Sequence, residues 1–302
     1  MTGPTDSAES TGSTNVASNP SSNASPRTPA ENGELALLCE VAGTPKPGNV
    51  DRAREYPDLR FEHFLAGAVG ARRGLAMAAA GESVGESFEC AVRGMATQRG
   101  GNTQFGAVLL LTPLVRAAAA DENSRDGVSR IVADTTVADA VSFYRAFEHV
   151  DVAVADPPNG WDALDVRRGA DAADAIRERE LSLADVMATS AERDGVAREW
   201  TSGFERSFAL ADRLAVLDGP LPERASRAYL EALAAEPDSF VSITHDADTA
   251  REVTERADRV LSDHEDGDAF ATELIEREIN PGTTADITAA GLFVALERGI
   301  EV

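Results

Sequence analysis

The stretch of sequence that decides the fold runs from Phe105 to Ala120 and reads FGAVLLLTPLVRAAAA. It is apolar on nearly every side when it is wound as a helix. A helix without a broad polar face cannot lie on a protein surface and must be covered by other elements. The stretch therefore predicts a buried helix at the centre of a bundle.

Outward from this stretch, the chain continues as helix after helix. Apolar residues recur at three- and four-residue steps, and no segment alternates in the manner of a strand. This pattern predicts an all-α fold, with one multi-helix bundle domain over residues 31–302. The other predicted helices are a short one that begins at Glu31 and ends before Thr44, and then Glu62–Ala80, Gly85–Gln98, Val137–Phe147, Leu183–Ala191, Thr201–Ala215, Ser226–Ala235, Thr249–Ser262 and Thr284–Glu297.

Residues 1–30 differ in composition from the rest. They are rich in Ser, Thr, Asn, Pro, Gly and Ala, with almost no large apolar side chains. Such a segment cannot bury enough surface to offset the entropy that it would lose on ordering. We expect a disordered low-complexity tail that is dispensable for folding and activity.

The charge balance excludes several classes of partner. The chain has 28 basic and 52 acidic residues, a formal charge of −24, and Lys46 is its only lysine. Such a surface repels nucleic acid and anionic membranes. Acidic excess with almost no lysine indicates adaptation to molar salt, where charges are strongly screened. Together with the absence of an apolar run of about 18 residues and of a signal-peptide pattern, this predicts a halophilic cytoplasmic protein. The two cysteines do not form a disulfide framework.

Three polar loops are candidates for the functional site. The first, Glu40–Arg52, reads EVAGTPKPGNVDR and places Lys46 between acids on a backbone stiffened by two prolines. There Gly48 would let the backbone approach a ligand, and the lysine suits a phosphate or a phosphate–metal unit. The alternative is an exposed helix-ending loop with a surface salt bridge.

The second and third loops each open a helix. Arg99–Gly106 reads RGGNTQFG, and Asn280–Asp286 reads NPGTTAD. A helix N-terminus suits phosphate. The alternative is an Asn or Thr N-cap alone, which explains the second loop better when that loop is taken by itself and is sufficient to explain the third. If the three loops form one site, Lys46, Asn102 and Asp286 should face one cleft. The four histidines lack metal-ligand spacing, so carboxylates, Lys or Arg, and a hard metal such as Mg²⁺ are the expected chemistry.

In this order and spacing, the loops resemble the triphosphoribosyl-dephospho-CoA synthase family. The resemblance spans about residues 34–300, and its Pro-Lys-Pro-Gly motif is the most specific part. Asp238-Ser239, and Asp165-Val166-Arg167 with Gly169, are also similar to the family. The matching residues are Glu40, Thr44, Pro45, Lys46, Pro47, Gly48, Val50 and Asp51 in the first loop, Gly100, Asn102, Thr103 and Gly106 in the second, and Pro281, Gly282, Thr284, Ala285 and Asp286 in the third.

The resemblance implies an all-α transferase that joins the triphosphoribosyl group of ATP to the 2′-hydroxyl of 3′-dephospho-CoA and releases adenine. The product is a prosthetic-group precursor. Bacterial members usually have His-Lys where this chain has Gln104-Phe105. A phosphate-facing cation is therefore missing there, or another residue such as Arg99 supplies it.

The roles that follow are hypotheses. Lys46 would contact the triphosphate, and Asp51 and Asp286 would hold Mg²⁺ or act as the base. Glu40 would stabilise the ribosyl cation or orient Lys46. Because the first loop is expected to be exposed, Lys46→Arg should damage activity far more than folding. The candidate catalytic residues are Glu40, Lys46 and Asp51; those for binding ATP and the acceptor are Thr44, Gly48, Arg52, Arg99, Asn102, Thr103, Asn280, Gly282 and Thr284; those for the metal are Asp51 and Asp286.

Other functions remain open at the level of sequence. The acceptor could be the precursor of a different cofactor. The same glycosidic cleavage of ATP with water as the acceptor would make the protein a hydrolase. A third alternative is a non-catalytic nucleotide-binding protein on the same scaffold, although binding alone would need fewer acids near a polyanion.

Overall fold

The computed structural model describes residues 27–302, together with Met1 and Gly3. It contains fifteen α-helices and two short 3-10 helices, with 67% helix and no strand in this described part, which confirms the all-α prediction. The 3-10 helices cover Asp162–Leu164 and Val166–Ala172. The α-helices are α1 Pro29–Ala42, α2 Phe61–Ala79, α3 Val84–Met95, α4 Phe105–Ala119, α5 Arg125–Ala133, α6 Val137–Ala146, α7 Ala173–Glu178, α8 Leu183–Ser190, α9 Gly195–Ser202, α10 Glu205–Val216, α11 Leu221–Ala235, α12 Ser239–Thr244, α13 Ala247–Leu261, α14 Gly267–Glu276 and α15 Gly282–Glu297.

Helix α4 is the buried central helix that the sequence predicts. Nearly all of its residues are buried, and it packs against α1, α2, α3 and α15. Helix α15 is also buried on almost every side and lies against α1, α4 and α10. These two helices bring the N-terminal ends at Phe105 and Gly282 into the interior, next to the functional site described below.

Most helix starts follow from local capping. The capping side chain accepts hydrogen bonds from backbone N–H groups of the first turn, which have no partner within the helix. Nine of the described α-helices begin this way, with caps at Thr28, Ser83, Ser124, Thr136, Ser182, Asp194, Asp238, Asp246 and Asp266.

The predicted helix Thr201–Ala215 is two helices. Gly203 and Phe204 both adopt left-handed backbone angles, with φ of 67° and 56°, and separate α9 from α10. The buried carboxylate of Glu199 then accepts hydrogen bonds from the N–H groups of Arg206 and Ser207, at 3.1 and 2.9 Å. The break is stabilised because Glu199 satisfies the new helix start.

The predicted disordered tail lies almost entirely outside the described residues. Its last part is different, because α1 already begins at Pro29 and is capped by Thr28. Ala30, assigned to the tail by composition, is buried in the core.

Candidate active site

The Pro-Lys-Pro-Gly loop is fixed to the protein through its backbone. Hydroxyl groups from other parts of the chain donate hydrogen bonds to three backbone carbonyl groups of the loop. These bonds run from Ser226 Oγ to Pro45 O at 2.6 Å, from Tyr229 Oη to Pro47 O at 2.8 Å and from Tyr56 Oη to Gly48 O at 2.6 Å. The loop is therefore part of the packed interior.

Lys46 is fully buried in this loop. Its Nζ donates hydrogen bonds to Glu40 Oε1 and to Asn49 Oδ1, the latter at 3.1 Å, and lies 6.0 Å from the centre of the Tyr229 ring. Loss of water around Glu40 raises the pKa of its carboxyl, while the Lys46 ammonium opposes that shift. The expectation of an exposed loop was wrong, because hydroxyl anchors and the buried ion pair hold the lysine inside.

Asp51 organises the same loop. Its Oδ1 accepts hydrogen bonds from the N–H groups of Ala53 and Arg54, at 2.7 and 2.9 Å. Its Oδ2 accepts from the Lys46 N–H at 3.0 Å and from Arg54 Nη1 at 3.3 Å. Both oxygens of this fully buried carboxylate are thus engaged by the protein itself.

The first and third loops are packed directly together. Gly48 has φ of +74°, and a Cβ at this position would lie closer than 3.0 Å to the carbonyl oxygen of Ile279. Asn49 Nδ2 donates to Asn280 Oδ1 at 2.9 Å. The glycine therefore permits a close approach between two protein segments, where the sequence had predicted an approach to a ligand.

A cavity of about 190 Å³ lies at the N-terminal ends of α4, α9 and α15. Its polar end is lined by Asn102, Asp194, Thr283 and Asp286. The N-termini of these helices carry partial positive charge, which favours anionic groups. Asn102 and Asp286 thus face one cleft, as the sequence predicts, whereas Lys46 does not line it.

Asp286 is the central carboxylate of the polar end. Its Oδ1 accepts a hydrogen bond from the Ala107 N–H at 2.8 Å, which links α15 to the first turn of α4. A Cβ on Gly106 would lie closer than 3.0 Å to Asp286 Oδ2, so glycine makes this approach possible. Burial raises the pKa of Asp286 well above its usual value, and the nearby charge of Glu40 adds to the rise. The buried Lys46–Glu40 pair is therefore electrostatically coupled to the cavity.

Two further acids support this end of the cavity. Asp194 caps α9 through Oδ1, which accepts from the N–H groups of Val196 and Ala197 at 2.8 and 3.0 Å. Asp238 caps two helices, because its Oδ1 accepts from the start of α12 and its Oδ2 accepts from Thr284 N at 2.7 Å. Burial raises the pKa of both carboxyls. The sequence signal for Asp194 is an N-cap residue before a helical run, which we had not singled out.

The other end of the cavity is apolar and rich in aromatic rings. Phe105 packs at its base, with ring centres 5.1 Å from Phe88 and 4.8 Å from Phe147. The irregular segment 152–158 and Trp161 also line the cavity. The cavity thus combines an apolar compartment suited to a planar ring with an acidic compartment bounded by helix N-termini.

Comparisons with known proteins agree with this architecture. The CitG family model, described as ATP:dephospho-CoA triphosphoribosyl transferase, matches residues 26–301. The chain belongs to this family of transferases. A crystal structure described as a triphosphoribosyl-dephospho-CoA synthase from Archaeoglobus fulgidus is similar, with 26% identity, a TM-score of 0.63, and coverage of 78% of this chain and 99% of that one. No protein of curated function matches the chain.

The synthase family signatures are placed unevenly around the cavity. Asn102 lines it, and its Oδ1 accepts a hydrogen bond at 3.1 Å from the N–H of Phe105, the first residue of α4. Arg52 and Arg99 are exposed, and neither lines the cavity. The remaining predicted residues, which support the loops from outside the cavity lining, are Thr44, Gly48, Thr103, Asn280, Gly282 and Thr284.

The side chains of Gln104 and Phe105, which stand where bacterial members usually have His-Lys, have different surroundings. Gln104 is buried, and its Nε2 donates to the carbonyl oxygen of Leu37 at 3.2 Å. Phe105 lines the apolar compartment. The dipeptide that stands in place of His-Lys therefore contributes one structural contact and one apolar wall residue in this chain.

Within the described residues, no three acidic, histidine or cysteine side chains are grouped to hold a metal. Asp194 and Asp286 still fit Mg²⁺, which proteins commonly hold with one or two carboxylates while substrate phosphates and water complete the shell. Each has an Oδ2 without a hydrogen bond from the protein in the described part of the chain, and both residues line the cavity.

A separate finding concerns membranes. None of the described helices is long and apolar enough to cross a membrane.

Proposed function

We propose that this transferase moves the triphosphoribosyl group of ATP onto the 2′-hydroxyl of 3′-dephospho-CoA and releases adenine. The observation that carries the proposal is the joining of the second and third family signatures at one cavity, where Asp286 reaches the first turn of α4. Cleavage of the bond at C1′ passes through a transition state with oxocarbenium character, which carboxylates stabilise.

The acidic compartment is the proposed position of the ribose and the nearest phosphates. Asp194 and Asp286 would face C1′ or hold Mg²⁺, and Mg²⁺, when bound, would neutralise part of the triphosphate charge. The N-termini of α4, α9 and α15 add positive potential on the same side. Mg²⁺ and the helix N-termini together would allow the triphosphate to bind although the walls carry carboxylates.

The raised pKa of Asp286 favours a second role for this residue as the base that takes the hydroxyl proton. The two roles make different predictions for Asp286→Asn. Loss of a metal ligand raises the Mg²⁺ concentration needed for half-maximal rate. Loss of a base lowers the rate at saturating Mg²⁺ and removes the rise in rate with pH.

The aromatic compartment is the proposed position of the adenine ring. Aromatic side chains stack on bases with little dependence on hydrogen bonding. Phe105, Phe147 and Trp161 provide such surfaces. After the bond at C1′ breaks, adenine held in the aromatic compartment would stay separated from the reacting ribose.

The first loop is proposed to position the site without touching the substrate. Lys46 and Glu40 form a buried ion pair, and within the described residues the Asp51 carboxylate accepts hydrogen bonds from Lys46, Ala53 and Arg54. Gly48 and Asn49 then fix the third loop, which carries Asp286.

The decisive experiment measures adenine released from ATP and the masses of the products, with and without 3′-dephospho-CoA, in about 2 M KCl because surface charge is screened there. A product that contains both substrates, formed only when both are present, supports the transferase. Adenine release that needs no acceptor indicates a hydrolase, and ATP binding without release indicates a regulator. Another acceptor in place of dephospho-CoA would identify a different cofactor pathway.

Asp286→Asn and Asp218→Asn form a matched pair for this assay. Asp218 is exposed and does not line the cavity, so its loss should leave turnover unchanged. Removal of a group that stabilises charge in the transition state typically costs a factor of about 10²–10³ in rate. Equal turnover in the two variants would exclude Asp286 from the reacting centre.

The acidic surface supports a companion proposal of a cytoplasmic protein adapted to concentrated salt. Its arginines form many surface ion pairs, such as the cluster of Arg256 with Glu265 and Glu273 at 2.6 and 2.7 Å. These pairs leave a large excess of carboxylates, since the formal charge is −24.

A further inference from the structure

The cavity has too few cations for the phosphates of its proposed substrates. Its lining includes the carboxylates of Asp156, Asp165, Asp194 and Asp286. Among the described residues, Arg193 is the only basic side chain in the lining. A nucleotide polyphosphate that enters this space therefore has one protein cation available to it.

Arg193 is in a position to use its charge. It lies in the turn between α8 and α9, is exposed, and donates from Nη1 to the carbonyl oxygen of Asp156 at 3.3 Å. Within the described part of the chain, no carboxylate lies within ion-pair distance of its guanidinium, whereas the neighbouring Arg198 pairs with Glu236 at 3.3 Å. A guanidinium has five N–H donors in a planar fork, so most of them remain for a phosphate.

Arg193 also lies where the cavity meets a second space. An open groove of about 600 Å³ is lined by Arg193, Arg198 and Ser242, and it shares the wall segment Val154–Asp156 with the cavity. A substrate with its reacting sugar at Asp286 and a long anionic chain would have to extend through such an exit. The guanidinium of Arg193 lies at this junction, where it can contact the anionic chain.

We propose that Arg193 binds the phosphate chain of a nucleotide substrate where the cavity opens into the groove, and so supplies the phosphate-side cation that Gln104-Phe105 lacks. This inference rests on the proposed function. It replaces two earlier candidates, because Lys46 is buried against Glu40 and Arg99 lies outside the lining. The phosphate chain can belong to ATP or to dephospho-CoA, since both carry one.

The test compares Arg193→Gln with Arg73→Gln. Arg73 is an exposed arginine of α2 that forms no ion pair with another described residue and does not line either space. Calorimetry at one fixed salt concentration would measure binding of ATP, adenosine, tripolyphosphate and 3′-dephospho-CoA, each alone. Loss of a charge-assisted, bidentate contact should weaken binding about 10- to 100-fold. Arg193→Lys should retain part of the affinity.

The expected result is weaker binding of ATP and tripolyphosphate by Arg193→Gln, with adenosine unaffected and Arg73→Gln equal to wild type. Weakening of dephospho-CoA alone would assign the contact to the acceptor and support the proposal equally. Equal affinities of the two variants for every phosphate-bearing probe would overturn it, as would an equal loss for adenosine. Adenine release by the wild type is measured separately, so failure of the proposed function is recognised independently.

Discussion

Replacement of Lys46 should destabilise the fold severely, because it would leave the buried carboxylate of Glu40 without its cation. Lys46 has no exposed surface, and Glu40 is 3% exposed. Removing one partner of such a pair costs about 3–5 kcal/mol. At roughly 2 °C per kcal/mol for a chain of this size, Lys46→Met should lower the melting temperature by about 6–10 °C.

A double variant and a surface control separate the buried charge from other effects. Glu40→Gln combined with Lys46→Met should recover most of the loss, because a neutral pair needs no charge compensation. Arg251→Met, which breaks an exposed pair with Asp248, should cost within about 0.5 kcal/mol. Lys46→Arg should also destabilise, since a bulkier group overpacks the site by about 1–3 kcal/mol.

The pH dependence gives an independent check. Burial raises the pKa of Glu40, and removal of Lys46 should raise it further. A carboxyl whose folded pKa exceeds its unfolded value stabilises the fold at low pH, and that contribution is lost as pH rises through the folded pKa. The deficit of Lys46→Met should thus be smaller at about pH 5 than at pH 8. Thermal melts of Lys46→Met within about 1 kcal/mol of Arg251→Met at both pH values would refute the buried-pair argument.

Four further perturbations test the rest of the structure. Gly106→Ala should displace the Asp286 carboxylate and lower turnover about 10²-fold in the adenine-release assay. Its effect on the melting temperature of the substrate-free protein should be smaller. Asp238→Asn should leave the Thr284 N–H, in the first turn of α15, facing an amide donor and cost about 1–3 kcal/mol by thermal melting. Deletion of residues 1–26 should leave the melting temperature unchanged, whereas deletion through Thr28 should cost about 1 kcal/mol by removing the cap of α1. Melting temperature should rise between about 0.1 and 2 M KCl, and a flat profile would contradict the salt adaptation.

The helical architecture was predictable because it depends on local periodicity. The buried helix α4 and the N-terminal boundary at Phe105 follow from apolar spacing alone. Short polar helices such as Arg125–Ala133 and Gly267–Glu276 were not predicted from the sequence, because their starts depend on single capping residues and their apolar faces are narrow. The break at Gly203 depends on Glu199, whose role emerges only when α9 and α10 are folded.

The site was predictable only in part. Asn102 and Asp286 stand at helix starts within recognisable motifs, and both line the cavity. Arg193 and Asp194 belong to no such motif. The relevance of Arg193 depends on its contact with Asp156, 37 residues earlier in the chain, and that of Asp194 on lining the same cavity as Asp286. The burial of Lys46 likewise depends on packing partners from distant segments, which the loop sequence does not specify.

The presence of lysine among so many arginines has a structural explanation in the first loop. A compact ammonium meets Glu40 and Asn49 within a pocket closed by the Tyr229 ring, and Tyr229 is itself held by Pro47. A planar guanidinium needs more space and presents its donors in a different geometry. The same loop fixes the segment that carries Asp286 through Gly48 and Asn49. A residue selected for its fit in the interior can therefore be as restricted in type as one that touches the substrate, and its effect on catalysis would pass through the position of Asp286.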